Sequence, residues 1–315
     1  MKKFVERIVL FCGLIILILI PMVYAFFVRI LPQHLESYNA SLLDKVQRLQ
    51  NLNEAKIVLI GNSNVAFGFQ SELIEEAYNM PVVNMGLHGG LGNAFHERMA
   101  KINVHEGDIY VICHHTFSDD GKIEDVQLAW ITLENYIELW QLAGRRDIIP
   151  MCEGLPYFMK KTMFDIGLEL TSGQEQNKEV TDVYSRKAFN QYGDVACLRE
   201  ESIFTFEEQS APEINDTCID RLNELNAYLN ERGATMVVAG YPIGKGKFTP
   251  AEDEFIQFQE ELQEQLDCEV ISDYRDYMFD YSYFYNTFLH LTTDGARLRT
   301  EQLIKDLEKV IDGTM

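Results

Sequence analysis

Basic residues are scarce in this chain: 27 Lys and Arg stand against 49 Asp and Glu, a formal net charge of −22. Binding to nucleic acid needs clustered cations that displace counterions from phosphates, so a nucleic-acid partner is excluded. Cysteine is scarce as well. Six occur in 315 residues, at positions 12, 113, 152, 197, 218 and 268, with no CxxC pair. That pattern indicates neither a disulfide framework nor a zinc site. Cys197 and Cys218 are left able to pair, and Cys113 reads as a buried strand residue. Histidine is also rare, and the adjacent His114 and His115 near Asp119 and Asp120 do not make a metal site. Neighbours on an extended segment point to opposite faces.

What is present begins with a 47% apolar composition, enough for a sizeable core. Residues 8–30 read IVLFCGLIILILIPMVYAFFVRI, with Arg29 the only charge, and Lys2, Lys3 and Arg7 precede or open the run. That length crosses roughly 30 Å of hydrocarbon, and the flanking cations predict a cytoplasmic N-terminus with the rest outside. Cleavage after Val23-Tyr24-Ala25 is the alternative, disfavoured because the run continues through Phe26, Phe27 and Val28. No lipobox cysteine follows. Beyond residue 31 the chain carries 23 basic and 48 acidic residues, so the acidity belongs to the exported part.

The expected organisation is a cytoplasmic tip and anchor over 1–31, a stalk helix over 32–55, and an α/β domain over 56–315 with an insertion at about 145–215. Leu35, Leu42, Leu43, Val46, Leu49 and Leu52 recur at helical steps in the stalk. Four-residue to six-residue apolar runs at 57–60, 82–85, 108–113, 234–239 and 268–271 predict five strands, and amphipathic segments between them predict crossover helices. The rhythm implies a mostly parallel five-stranded sheet covered on both faces, a three-layer sandwich of flavodoxin-like type. Asp216 or Thr217 is expected to cap the helix before the fourth strand, and Thr249 the acidic helix after it. The insertion has no clear period and is expected to cover or line a site.

Residues 56–69, KIVLIGNSNVAFGF, place a serine in a tight turn between the first strand and a helix. Such a turn lifts a hydroxyl to the carboxyl edge of the sheet. The loops 61–64, 86–92 and 114–120 converge on that edge. Near the C-terminus, His290 stands at the mouth of the last helix in FLHLTTDGARLRT.

This combination resembles the SGNH (GDSL-like) hydrolases, and most closely their membrane-anchored, exported bacterial members that act on cell-surface polymers. The resemblance covers residues 56–116 and 216–311. It implies Ser63 as nucleophile and His290 as base, with an oxyanion site of backbone N–H groups from Ser63 and Gly86. Asn64 and His88 are expected to meet substrate. Three residues before His290 stands Thr287 where the family has Asp, so Asn286, Asp280 and Asp276 are the candidates to orient the imidazole, Asn286 being nearest. No GxND motif follows the third strand; Asn84 or a histidine side chain is expected to replace its asparagine.

The function implied is a serine O-acyl esterase or acyltransferase, without cofactor, for acyl groups (acetyl foremost) of an envelope polysaccharide or teichoic-type polymer, or for small acyl esters. A transferase is expected to work with a multi-spanning acyl-donating partner. The alternative is a catalytically degenerate scaffold of the same fold that binds an envelope glycan or a membrane partner.

Overall fold

The computed structural model describes residues 2–25, 34–134, 136–172, 183–200, 205, 209–246 and 252–314. Helix α1 (Lys2–Ala25) covers the N-terminal apolar run as far as Ala25, and residues 26–33 lie outside the described residues. Among the described residues no helix is long and apolar enough to cross a membrane. The described helix therefore does not by itself supply the anchor expected over residues 8–30.

The segment expected to be a stalk is packed into the domain instead. A 3-10 turn (Tyr38–Ser41) leads into α2 (Leu42–Asn51), whose Leu42, Val46 and Leu49 are buried in the main core. Lys45 on the same helix is only 2% exposed and donates to the carbonyls of Asn84 and Gly193. The helical stripe was legible, but it faces a core and not water.

The sheet follows the expected rhythm. Strand β1 (Ile57–Ile60) is followed by the one-turn α3 (Ser63–Ala66), α4 (Ser71–Tyr78), β2 (Val82–Asn84), α5 (Asn93–Met99) and β3 (Ile109–Ile112). Helix α6 (Val126–Leu133), started by the Asp125 side chain, and α7 (Ile148–Ser172) come next. Helix α8 (Asp216–Asn230), β4 (Thr235–Val238), a short β5 (Ile243–Lys245), α9 (Glu252–Gln265), β6 (Glu269–Val270), β7 (Met278–Asp280) and α10 (Thr293–Thr314) complete the chain. Asn215, not Asp216 or Thr217, caps α8 by accepting from the Cys218 amide at 2.8 Å. The Thr249 cap expected for α9 lies outside the described residues.

The five strands are all parallel in the order β2-β1-β3-β4-β6, in register as Val58↔Val83, Ile57↔Ile109, Ile109↔Thr235 and Val237↔Glu269. Alternate residues enter opposite layers, as the two-residue period of a strand requires. Val58, Ile60, Tyr110, Ile112, Met236 and Val238 pack under α2, α5, α8 and α9. Ile57, Leu59, Ile109, Val111 and Val237 pack under α4 and α10, against Ile74, Leu303 and Leu307. This is the predicted three-layer α/β architecture. β5 and β7 form a separate two-stranded parallel ribbon that no periodicity foretold.

The chain leaves β1 toward β2 on one side and returns to β3 on the other, so the β1 and β3 ends form the switch point of the sheet. Crevices at such points are where open α/β sheets hold ligands. None of the six cysteines is in a disulfide, so Cys197 and Cys218 are not joined to each other.

Candidate active site

The turn after β1 is held from below. Asn62 caps α3 with its side-chain oxygen, which accepts from the Asn64 amide at 2.9 Å and from Asn64 Nδ2 at 2.7 Å. Asn64 Nδ2 also reaches the Cys113 carbonyl at 3.0 Å. From α10 the fully buried Arg299 donates to the Asn64 carbonyl at 2.7 Å, to Asn64 Oδ1 at 3.0 Å and to the Gly240 carbonyl at 2.9 Å. Asn64 is therefore inside the turn and not in the cleft, which corrects its expected contact with substrate. Gly68 is a glycine for the same reason: a Cβ there would lie 2.2 Å from an Arg299 nitrogen.

Ser63 alone of this turn faces outward, half-buried. Its Oγ lies 2.8 Å from Nε2 of His290, 227 residues away in sequence. Nδ1 of His290 lies 2.8 Å from Asn286 Oδ1. An amide oxygen only accepts, so Nδ1 carries the proton and Nε2 presents its lone pair to the serine hydroxyl. Thr287, at the position of the missing Asp, does backbone work: its Oγ1 accepts from the amides of Leu289 at 3.2 Å and His290 at 3.1 Å.

Two partners of this array were not foreseen. Asn286 Nδ2 donates to the Tyr184 hydroxyl at 2.7 Å, which fixes the amide with its oxygen toward the imidazole. The His290 ring stacks on Phe67 with centroids 4.1 Å apart and planes 7° from parallel. Burial, then the nearby charges of Arg199 and His88, lowers the His290 pKa to about 3, so the ring is neutral at every physiological pH. Arg199 itself is buried, with its guanidinium donating to the carbonyls of Leu291, Phe67 and Val195.

The expected oxyanion site needs correction. The Gly86 amide already donates to Asn84 Oδ1 at 2.9 Å. Asn84 is fully buried, and its Nδ2 is used by the Val65 carbonyl at 2.9 Å and Asp194 Oδ1 at 2.8 Å. Neither can turn to a substrate. Gly86 is there because a Cβ would lie 2.4 Å from the Ala66 nitrogen, so it lets the β2 loop pass under the serine turn.

The donors that do face the cleft are others. Among the described residues the Ser63 amide has no hydrogen-bond partner. Asn62 lines the cleft, and its Nδ2 donates at 2.7 Å to Nδ1 of His115, which therefore keeps its proton on Nε2. Burial, then His114, lowers the His115 pKa to about 4. His114 points the other way, into the core, with Nε2 3.3 Å from Glu97. Of the two adjacent histidines after the third strand, His115 is the one that lines the cleft.

The cleft has a volume of about 540 Å3 and is walled by Tyr38, His88, Gly89, Asn93, Tyr184 and Phe288 around Ser63 and His290. His88 lines the cleft, its Nδ1 accepting from the Gly90 amide at 3.0 Å. Tyr38 and Tyr184 come from the segments read as stalk and insertion. A second cavity of about 740 Å3, walled in part by Tyr241 and Phe255, shares His115, Thr116, Thr287 and Phe288 with the first. Among the described residues no three His, Cys, Asp or Glu side chains converge as a metal site requires.

The arrangement can do one kind of chemistry well: a neutral imidazole is aimed at a serine hydroxyl beside the unpaired Ser63 amide, at the mouth of a half-apolar cleft. Compared with known protein families and with characterised proteins, the chain matches no family model and no curated relative.

Proposed function

We propose that this chain is a serine O-acyl esterase or acyltransferase of SGNH type, acting on acyl groups, acetyl foremost, of an extracytoplasmic envelope polysaccharide or teichoic-type polymer. The observation that carries the reading is the 2.8 Å contact between Ser63 Oγ and the Nε2 lone pair of His290. As Oγ attacks an ester carbonyl, its proton passes to Nε2, and the new imidazolium is held at Nδ1 by Asn286. Charge on the carbonyl oxygen meets the Ser63 amide, with Asn62 Nδ2 and His115 Nε2 as the side-chain donors nearest it. A donor in such a position contributes about 3 kcal/mol. The leaving alcohol takes the proton back from Nε2, and the acyl group stays on Ser63. Water or a sugar hydroxyl then attacks, with His290 again as base, giving hydrolysis or transfer.

The membrane tether belongs to the same proposal. It is supported by the apolar residues 8–30 with their basic flank and by exposed side chains along α1 such as Phe4, Leu10, Phe11 and Leu17. A tethered domain outside the membrane matches a polymer substrate, and a transferase would draw its acyl group from a multi-spanning partner.

The test is a rapid-mixing burst of p-nitrophenolate from p-nitrophenyl acetate by the full chain, beside Ser63→Ala and His290→Ala. A stoichiometric burst that both variants lose establishes the acyl-enzyme. A second reading, a binding scaffold with the same fold, is favoured by the amide at Nδ1 and by the weak basicity of His290. Folded wild-type protein that gives no burst and takes up no serine-directed phosphonate would establish that reading.

A further inference from the structure

Helix α7 is apolar on both of its sides. The inward side is accounted for: Met151 and Phe158 are buried, Phe158 stacks on Trp130 with centroids 5.8 Å apart, and Trp130 Nε1 donates to the Met151 carbonyl at 2.9 Å. The outward side has Ile149 70% exposed, Tyr157 62%, Phe164 65% and Leu168 50%. At about 100° per residue these four fall within an arc of about 100°. A helix with two apolar sides belongs either in a large core or against lipid.

Charge and location identify the occupant. On the same count Lys160 falls inside the arc and Lys161 about 20° beyond its edge, with the exposed Glu153 also inside it toward the N-terminal end of the helix, while Asp165 is half-buried to the side. The two exposed lysines outnumber the one exposed acid on this face, in a chain of net charge −22. Long cationic side chains flanking apolar and tyrosine side chains suit an anionic headgroup layer over acyl chains. The chain from α1 also arrives here. His34 lies 3.0 Å from Glu134 and its ring is 6.2 Å from that of Phe158 on α7. Nine residue steps separate it from Ala25, a reach of at most about 32 Å.

We propose that α7 is an interfacial helix, its outward face seated in an anionic lipid surface beside the point where α1 enters the same bilayer. This rests on the tether reading above. α7 packs on α6, and α6 meets the site loop through the Asp125 amide, which donates to the Gly90 carbonyl at 2.8 Å. Docking of α7 would thus set the height of the cleft above the membrane, where a membrane-borne acyl donor delivers its group.

The test uses the full chain in phosphatidylcholine vesicles containing a minority of phosphatidylglycerol, with an environment-sensitive fluorophore on one thiol at a time. One sample is labelled at the native Cys12 on α1, the other at Phe164→Cys, the remaining accessible cysteines being alanine. Nitroxide-bearing lipids are expected to quench both labels, and Lys160→Glu with Lys161→Glu to remove most of the quenching at 164 and none at 12. Quenching at 12 alone overturns the docking and leaves the tether. Quenching at neither overturns both. A blue shift at 164 without lipid quenching overturns the proposal in favour of a protein partner on this face.

Discussion

Asn286 presents its side-chain oxygen to Nδ1 of His290 at 2.8 Å, where a serine triad ordinarily presents a carboxylate. The geometry of orientation is kept and the charge is not. With Arg199 nearby raising the cost of an imidazolium, His290 is held in the right tautomer but is a weak base. Asn286→Asp should therefore raise the basicity of His290 and speed acylation, by on the order of tenfold or more. Stopped-flow acylation by p-nitrophenyl acetate reads this directly. A slower Asp variant with intact fold would mean that the site is tuned for the amide.

Tyr184 decides which way that amide points. Its hydroxyl accepts a hydrogen bond from Asn286 Nδ2 at 2.7 Å, and without it the amide is free to turn its nitrogen toward His290. Two donors would then face each other at Nδ1. Tyr184→Phe should lower kcat by about tenfold with little change in KM, since the phenyl wall of the cleft is retained. In the Asn286→Asp background the same substitution should cost less, because a carboxylate presents oxygen on either side. Equal losses in both backgrounds would assign Tyr184 to substrate binding instead.

The five strands were legible because each is a short apolar run bounded by turn residues, and parallel strands buried on both faces must read that way. Ser63 and His290 were legible from their positions at a strand end and a helix mouth. The ribbon of β5 and β7 was not, since three residues such as Ile243, Gly244 and Lys245 carry no period. Asn84 and Gly86 looked like an oxyanion pair because they are the right types at the right strand end. Only the structure shows that the amide of one is spent on the side chain of the other. Tyr184 sits in an aperiodic segment whose only signal was its abundance of aromatics. The stalk was misread because an apolar stripe does not say what it faces, and Lys45 at 2% exposure disguises a core position as a surface one.

Acid should unfold the domain before it silences the site. His96, His115 and His290 are neutral in the fold, burial lowering their pKa values to about 3, 4 and 3. In the unfolded chain they take up protons near the ordinary value of about 6.5. Between these limits the unfolded state binds more protons, so stability is full above about pH 6.5 and falls as the pH drops toward 4. Glu97, held down to about 2 by His114 and Arg221 against its burial, loses its share at still lower pH. Thermal melts from pH 8 to 4 should show Tm falling below 6.5, while the acylation rate of still-folded protein stays level. An acylation rate that halves near pH 6.5 would contradict the low basicity of His290.

The same low basicity makes the oxyanion donors matter more, because less of the barrier can be removed at the base. His115 is the donor whose loss is easiest to read. Its Nδ1 accepts from Asn62 at 2.7 Å, so one ring nitrogen positions the Asn62 amide, and the residue lines both cavities. His115→Ala removes a donor and releases Asn62 together, and should lower kcat by about a hundredfold while the serine still reacts with a phosphonate. His115→Gln, able to accept from Asn62 and still donate to the cleft, should recover part of that loss. A wild-type rate in His115→Ala would leave the Ser63 amide and Asn62 as sufficient, and would place His115 among the walls of the acceptor cavity instead.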